Sequence, residues 1–256
     1  MNKKERRQAD IIKIVRTYGN LPAKKIASML QVSQMTIYRD LKELGTRDEV
    51  AMAPARQEEN SLNDTVPAYD LLRAIHESND QKERIGKFAA TLINQNDIVI
   101  LDTGSTVDRM LRYIPENKNI SVVCYNANVL AALRHKQGIK ILFAGGIYHP
   151  NTELCESEEG IMFLNRHRAN KVFLSAAGVH ETLGVTCANE YEIATKKAIL
   201  KSAPEHILLA DSGKFGQVRS SYFCDLDSIH TVITDQKLSP EWRQILKDAE
   251  IPLHIV

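Results

Sequence analysis

Five consecutive residues, Asp102-Thr103-Gly104-Ser105-Thr106, follow the apolar run Ile98–Leu101 and precede a stretch of helical periodicity. A glycine-containing turn that opens a helix exposes backbone N–H groups, here beside two hydroxyls, and that combination suits an anion. Asp102 adds an acceptor for a sugar hydroxyl. A plain strand-to-helix turn capped by Ser105 accounts for the same residues equally well. The segment also spells the Asp-Thr-Gly-Ser of an aspartic protease. That chemistry needs two such carboxylates sharing a proton, and the chain has one copy with helical periodicity behind it.

Other apolar runs end in similar residues. Tyr125-Asn126 follows 120–124, Gly145-Gly146 follows 139–144, and Ala176-Ala177-Gly178 closes 172–176. Asp211-Ser212-Gly213-Lys214-Phe215-Gly216 follows 207–210. Glu192 and Lys196 stand four apart on one helical stretch, the spacing of an ordinary exposed ion pair. Convergence of these ends would make a pocket for a polyanion or sugar phosphate more credible than any single motif does. The candidate set is Asp102, Gly104, Ser105, Thr106, Tyr125, Asn126, Gly146, Gly178, Glu192, Lys196, Asp211 and Lys214. Cys124, Cys155, Cys187 and Cys224 are widely spaced with no C-x-x-C pair, so no metal, no cofactor and no disulfide framework is expected.

The elements that must hold these residues follow from periodicity. From about residue 80, short uninterrupted apolar runs alternate with helical stretches at 82–93, 107–114, 128–136, 156–168, 189–202 and 239–248. Further runs at 232–234 and 253–256 complete the pattern, the last as an edge strand. Strands apolar on both faces and separated by helices predict a doubly wound, mainly parallel α/β domain. Ligands in such domains collect beyond the carboxyl ends of the strands.

The first 47 residues are different. They carry eleven basic and four acidic side chains, so the formal +1 of the whole chain is +7 here and −6 in the remainder. Ala9, Ile11, Ile12, Ile14 and Val15 make an apolar stripe stopped by Gly19-Asn20, and a second helix is expected over 22–30. Ser33 can cap a third, 34–44, whose inner face is Ile37, Leu41 and Leu44. Three short helices with a basic outer face on the third describe a helix-turn-helix, with Gln34, Thr36, Tyr38 and Arg39 in reach of base edges and Ser33 near a phosphate. A helical packing module with a solvated basic face is the alternative. Residues 55–68 are polar, contain Pro67 and read as a linker, with a short helix continuing over 69–76. The expected organisation is a helix-turn-helix domain over 1–56, a linker over 57–78 and an effector domain over 79–256. The opening MNKKERRQAD predicts no secretory signal, and no apolar run suggests a membrane span, so a cytoplasmic protein is expected.

The pattern Ile26-Ala27-x-x-Leu30-x-Val32-Ser33-x-x-Thr36-Ile37-x-Arg39-Asp40-Leu41-x-x-Leu44, with Arg7-x-x-x-Ile11 upstream, resembles the DNA-binding helices of the DeoR family of bacterial transcriptional regulators. Asp102-x-Gly104-Ser105-Thr106, Gly145-Gly146, Ala176-Ala177-Gly178, Asn189-x-x-Glu192-x-x-x-Lys196 and Asp211-x-x-Lys214-Phe215-Gly216 resemble the effector domain of that family, which is similar in fold to ribose-5-phosphate isomerase. The resemblance implies operator DNA as a partner, with Arg7, Lys25, Ser33, Gln34, Thr36, Tyr38, Arg39 and Lys42 facing it. It also implies a homo-oligomer and a phosphorylated sugar or sugar alcohol as effector, deoxyribose 5-phosphate among them, acting on a repressor of a sugar or deoxyribonucleoside catabolic operon. Three departures stand out: Tyr38 where the family usually has Arg, Gly213 where it usually has Ser, and no Gly-Gly-containing wing visible in 46–56. An active sugar-phosphate isomerase with a DNA-binding appendage is the second expectation. Isomerases of that fold carry a D-G-x-D-E motif for proton transfer, and this chain has Ala176-Ala177-Gly178-Val179-His180 there, leaving only Glu192 and Asp211 as bases. A non-enzymatic sensor is the expectation that follows.

Overall fold

The computed structural model describes residues 69–256 continuously and, before them, residues 4, 7–12, 23–30, 32–33, 36–37 and 39–40. The chain divides into two compact units, Met1–Asp64 and Thr65–Val256.

In the first unit, residues 7–12 and α1 (Ala23–Leu30) are helical, as are 36–37 and 39–40. Ile11, Ile26, Ala27 and Ile37 are buried together, with Ile12, Leu30 and Val32 against them. Ser33 begins the last of these segments as a cap: its hydroxyl accepts from the Thr36 amide at 3.2 Å, and its carbonyl accepts from the amides of Thr36 and Ile37. Asp40 is fully buried, and its carboxylate takes both the Nε and a terminal nitrogen of Arg7.

The second unit begins with α2 (Leu71–His76) and α3 (Asn79–Thr91), then β1 (Ile98–Leu101), α4 (Ser105–Met110), β2 (Ile120–Cys124), α5 (Ala127–Leu133) and β3 (Ile139–Phe143). A hairpin, β4 (Ile147–His149) and β5 (Leu154–Glu156), precedes α6 (Glu158–Arg166) and β6 (Lys171–Ser175). The chain continues through β7 (Gly178–His180), β8 (Gly184–Cys187), α7 (Ile193–Leu200), β9 (Glu205–Leu209), β10 (Ser221–Cys224), β11 (Thr231–Thr234), α8 (Pro240–Asp248) and β12 (Leu253–Ile255).

Seven strands form one sheet in the order β12-β11-β9-β6-β1-β2-β3, and every pair in it is parallel. Alternate residues explain the uninterrupted apolar runs. Val99, Leu101, Val122, Phe173, Ile207 and Ile233 pack with Ile85 and Ala89 of α3, Met110 of α4 and Leu133 of α5. Ile100, Val123, Val172, Leu174, Leu208 and Val232 face the other way, against Leu164 of α6, Ile199 of α7 and Leu246 of α8. Both faces are covered, as a doubly wound sheet requires. Among the described residues no helix is long and apolar enough to cross a membrane.

Two features depart from the sequence reading. The β4–β5 hairpin and the antiparallel sheet β10-β8-β7 are absent from the sequence reading, because strands of three or four residues carry too little alternation to register as strands. Residues 69–78, placed in the linker although a short helix is expected over 69–76, hold α2, which folds within the second unit. Leu71 is buried, and two buried cations take the carbonyls at the end of α2. Lys82 Nζ donates to Ala74 and Glu77 at 2.7 and 2.8 Å, and Arg109 donates to Ile75 at 2.9 Å. Burial holds the Lys82 ammonium below its ordinary range.

Helix α3 crosses α4 so closely that only glycine fits at Gly86. A Cβ there would lie 2.6 Å from the Met110 amide nitrogen and 2.9 Å from the Arg109 carbonyl carbon, both backbone atoms. Alanine would favour the isolated helix by about 1 kcal/mol, yet overpacking at such a contact costs about 1–3 kcal/mol. Gly86→Ala is therefore expected to destabilise the full chain, read as a lower urea midpoint with an unchanged slope.

Candidate effector site

The chain runs β1 to β2 to β3 toward one edge of the sheet, then returns to β6 beside β1 and proceeds to the other edge. The direction of winding reverses between β1 and β6, and in open parallel sheets that reversal opens a crevice beyond the strand ends. Leu101 pairs with Phe173 in register, so the residues leaving β1 and β6 meet there.

Asp102, the first residue after β1, is fully buried. One oxygen accepts the Thr103 amide at 2.8 Å and the Tyr125 hydroxyl; the other accepts the Ser175 amide at 2.9 Å and Lys196 Nζ. Four donors onto two oxygens suit an ionised carboxylate, which only accepts. Lys196, 1% exposed, also donates to the Ser175 carbonyl at 3.1 Å and lies 3.9 Å from Glu192 and 5.0 Å from the centre of the Phe223 ring. Burial alone would push Lys196 down, but the charges of Asp102 and Glu192 outweigh it and hold the ammonium above its ordinary range. Burial raises Glu192, against the opposing effect of Lys196 and of Asn189, whose amide and side chain both donate to it. Burial, reinforced by the Asp102 charge, holds the Tyr125 phenol well above its ordinary range.

Above this buried group lies a depression bordered by Thr103, Gly104, Ser105, Thr106, Ser175, Ala176, Ala177, Cys187, Ala188, Glu192, Lys196, Lys214 and Tyr69. Its free space is about 30 Å³, room for a water molecule or two. Gly104 holds φ at 147°, and a Cβ on it would sit 2.3 Å from Ser175 Cβ and Oγ. The turn can therefore approach the end of β6 only as glycine. Ser175 Oγ is buried beside the depression with no hydrogen-bond partner among the described residues. Lys214 has no carboxylate within ion-pair distance among them, whereas Lys196 is neutralised. Helix α4 has six residues, so its dipole is small, and an anion would depend on the local N–H groups, the hydroxyls and Lys214. Burial pushes the Cys187 thiol up to about 12, which leaves it unreactive.

Six of the twelve sequence candidates border the depression: Gly104, Ser105, Thr106, Glu192, Lys196 and Lys214. Asp102 and Tyr125 lie beneath it in the hydrogen-bonded group. Asp211 caps the turn that carries Lys214, accepting the Gly213 amide at 3.1 Å. Three candidates lie elsewhere. Asn126 is buried and folds back onto the Tyr125 amide. Gly146 sits where β4 meets β5, where a Cβ would strike the Glu156 carbonyl at 2.3 Å. Gly178 sits in β7 with the Gln217 carbonyl 2.5 Å from its missing Cβ. Glu192 and Lys196, read as an exposed pair, are both buried. Sequence reasoning missed Tyr69, Thr103 and Ser175. Ser175 was recoverable in principle as the last residue of a strand, but only the strand order puts it opposite Asp102.

Tyr69 enters from the segment ahead of α2. Its carbonyl accepts from Asn151 Nδ2 at 3.2 Å, and the Leu71 amide donates to the Asn151 carbonyl at 2.7 Å. The residue is half-buried, with its phenol end desolvated. That burial raises its pKa with help from the Glu192 charge, and hydrogen bonding to the Ser105 side chain and backbone opposes the rise. Asn151 also accepts from the Tyr191 hydroxyl at 3.0 Å, and Tyr191 stacks on His149 at 3.8 Å.

Of the residues expected to face DNA, Ser33 and Arg39 are exposed and Thr36 is half-buried with its hydroxyl 2.8 Å from that of Ser33. Arg7 pairs with Asp40. Lys25 lies on α1, though its side chain, like Gln34, Tyr38, Lys42 and the stretch 46–56, falls outside the described residues.

Comparison with known proteins matches residues 77–236 to the DeoR C-terminal sensor domain and residues 7–48 to a helix-turn-helix domain. The HTH-type transcriptional regulator IolR of Bacillus subtilis is 27% identical over 242 residues, covering 93% of this chain and 94% of its own. The deoxyribose operon repressor of Escherichia coli strain K12 is 29% identical over 233 residues, 91% of each chain. Among solved structures, ribose 5-phosphate isomerase A of Methanocaldococcus jannaschii matches with a TM-score of 0.40 at 17% identity over 54% of each chain, a likeness too slight to bear on function.

The buried group makes a stability prediction. Removing one partner of a buried ion pair typically costs about 3–5 kcal/mol, because the other charge is left without compensation. Asp102→Ala should lose that amount in urea denaturation. Adding Lys196→Met to it should recover part of the loss, so that the double variant is more stable than the sum of the single changes predicts.

Proposed function

Because the chain belongs to the DeoR family of transcriptional regulators, we propose that it represses a sugar or deoxyribonucleoside catabolic operon and that a phosphorylated sugar relieves the repression. A member of that family pairs a helix-turn-helix with a sensor domain and is a regulator, not an enzyme. The observation that carries the choice of effector class is the charge arrangement of the depression. Lys214 borders it without a carboxylate partner among the described residues, next to the Ser105 and Thr106 turn and the unpartnered Ser175 hydroxyl. A cation without a carboxylate partner among the described residues, several short polar groups and a crevice at the winding reversal suit a phosphorylated sugar. Deoxyribose 5-phosphate is the favoured member of that class because the E. coli relative is a deoxyribose operon repressor.

The carboxylates also argue against turnover. Moving a proton between carbons requires a base free to accept it. Asp102 is saturated by four donors, Glu192 is held by Asn189, and Asp211 caps the Lys214 turn.

On the DNA side, Ser33, Thr36 and Arg39, together with Lys25, Gln34, Tyr38 and Lys42, make the contacts in this reading. Arg7 positions the third helical segment through Asp40. The protein acts as a homo-oligomer on spaced half-sites. The effector shifts the balance between DNA-competent and incompetent states by binding one of them more tightly.

A thermal-shift panel of pentose, deoxypentose and hexitol phosphates tests the effector, since a ligand at a hundred times its Kd adds about 2.7 kcal/mol to stability. Ser105→Ala combined with Lys214→Ala should abolish the shift while leaving a low-salt gel shift on the protein's own promoter DNA intact. A double variant that still responds would show that the site lies elsewhere. Failure of the wild type to bind that DNA at low salt would sink the regulator reading.

A further inference from the structure

The effector reading leaves one group of the depression unused. Tyr69 borders it with Ser105, Thr106, Lys196 and Lys214, and its phenol lies at the Ser105 hydroxyl and backbone. Those are the groups from which an anionic ligand would draw its hydrogen bonds. The space that remains is about 30 Å³, and a sugar phosphate is many times larger than the water or two which that volume admits. Something must move before such a ligand can bind.

The surroundings single out the tyrosine side chain. The floor is fixed by the four donors to Asp102, and Gly104 is wedged against Ser175. Helix α2, immediately after Tyr69, is anchored by Leu71 to Asn151 at its start and by Lys82 and Arg109 at its end. The Tyr69 phenol, by contrast, is held through Ser105, the very group an entering anion would take over. A rotation of this one side chain, ahead of α2, opens the depression without disturbing the sheet.

We infer that Tyr69 is an intramolecular competitor of the effector: its phenol fills the place of the ligand's phosphate when the site is empty and is displaced when the anion enters. The inference rests on the depression being the effector site. Tyr69 also lies ahead of α2, in the part of the second unit nearest in sequence to the helix-turn-helix, so displacing it changes that part of the sensor. The same contacts that bind phosphate would then report occupancy, with no separate relay.

Displacement makes a prediction opposite to that for an ordinary ligand contact. If the phenol occludes the site most of the time, the apparent Kd is raised by the reciprocal of the open fraction, and removing the phenol removes that penalty. Inorganic phosphate and deoxyribose 5-phosphate are titrated calorimetrically into the full chain as wild type, Tyr69→Phe and Tyr69→Ala. Tyr69→Ala is expected to bind both probes about tenfold more tightly, with Tyr69→Phe between it and the wild type. In the wild type, nitration of Tyr69 by tetranitromethane, mapped by mass spectrometry, is expected to increase when phosphate saturates the site; this measurement needs no variant to fold. Equal or weaker binding by Tyr69→Ala, or protection of Tyr69 by phosphate, would overturn the competitor role while leaving the effector site standing. If neither probe binds to any of the three proteins, the anion-site reading falls and the competitor falls with it.

Discussion

A carboxylate that is completely out of water costs several kcal/mol unless charge and hydrogen bonds replace its hydration, and the sensor unit is built around one that has both. Asp102 receives its own neighbour's amide, the Tyr125 hydroxyl from the end of β2, the Ser175 amide from the end of β6 and the Lys196 ammonium from α7. One charged group thereby ties three adjacent strand ends and a helix from the opposite face. The turn at Gly104 to Thr106 is held against β6 because Asp102 grips the Ser175 amide and because Gly104 has no side chain to keep them apart. Without this tie, the crevice that parallel topology leaves between β1 and β6 would have no fixed floor.

The same arrangement divides the labour of the two lysines. Lys196 is matched to Asp102 and lies near Glu192, so its charge organises the site and adds little net attraction for an anion. Lys214 rides on a short turn capped by Asp211 and has no carboxylate within ion-pair distance among the described residues. Carboxylates that are fully engaged in structure make poor bases, and a site that binds phosphorylated ligands without a free base holds them unchanged. That is the physical requirement for a sensor, and it agrees with the family to which the chain belongs.

The first unit repeats the principle at smaller scale. Its described core is four buried apolar side chains, and a buried carboxylate, Asp40, is satisfied by the guanidinium of Arg7 from the helical segment over 7–12. A planar, two-pronged donor fixes the angle between two helices better than a point charge would. Arg7, which from sequence is one more basic residue expected to face DNA, also pairs with Asp40 and so helps to fix the frame. Arg39, exposed on the neighbouring position, keeps its charge at the surface.

What the amino-acid sequence determined alone is what local pattern can carry. Apolar runs such as Ile98–Leu101 and Ile120–Cys124 identify strands buried on both sides, Ser33 marks the start of a helix, and the +7 and −6 split separates a basic unit from an acidic one. Gly104, Ser105, Thr106 and Lys214, which border the depression, could be singled out for the same reason: a polar or turn residue just beyond a buried strand is visible without knowing the strand's neighbours. The tertiary structure decided which strand ends meet. Asp102 and Ser175 are 73 positions apart, and Asp102 and Lys196 are 94 apart. Nothing in the periodicity of either segment encodes that β6, and not β3, lies beside β1. The crossover helices and the packing of two core layers set that order, and only through it do Glu192 and Lys196 become buried, Gly146 and Gly178 fall outside the depression, and Tyr69, from a stretch that reads as linker, come to lie inside it.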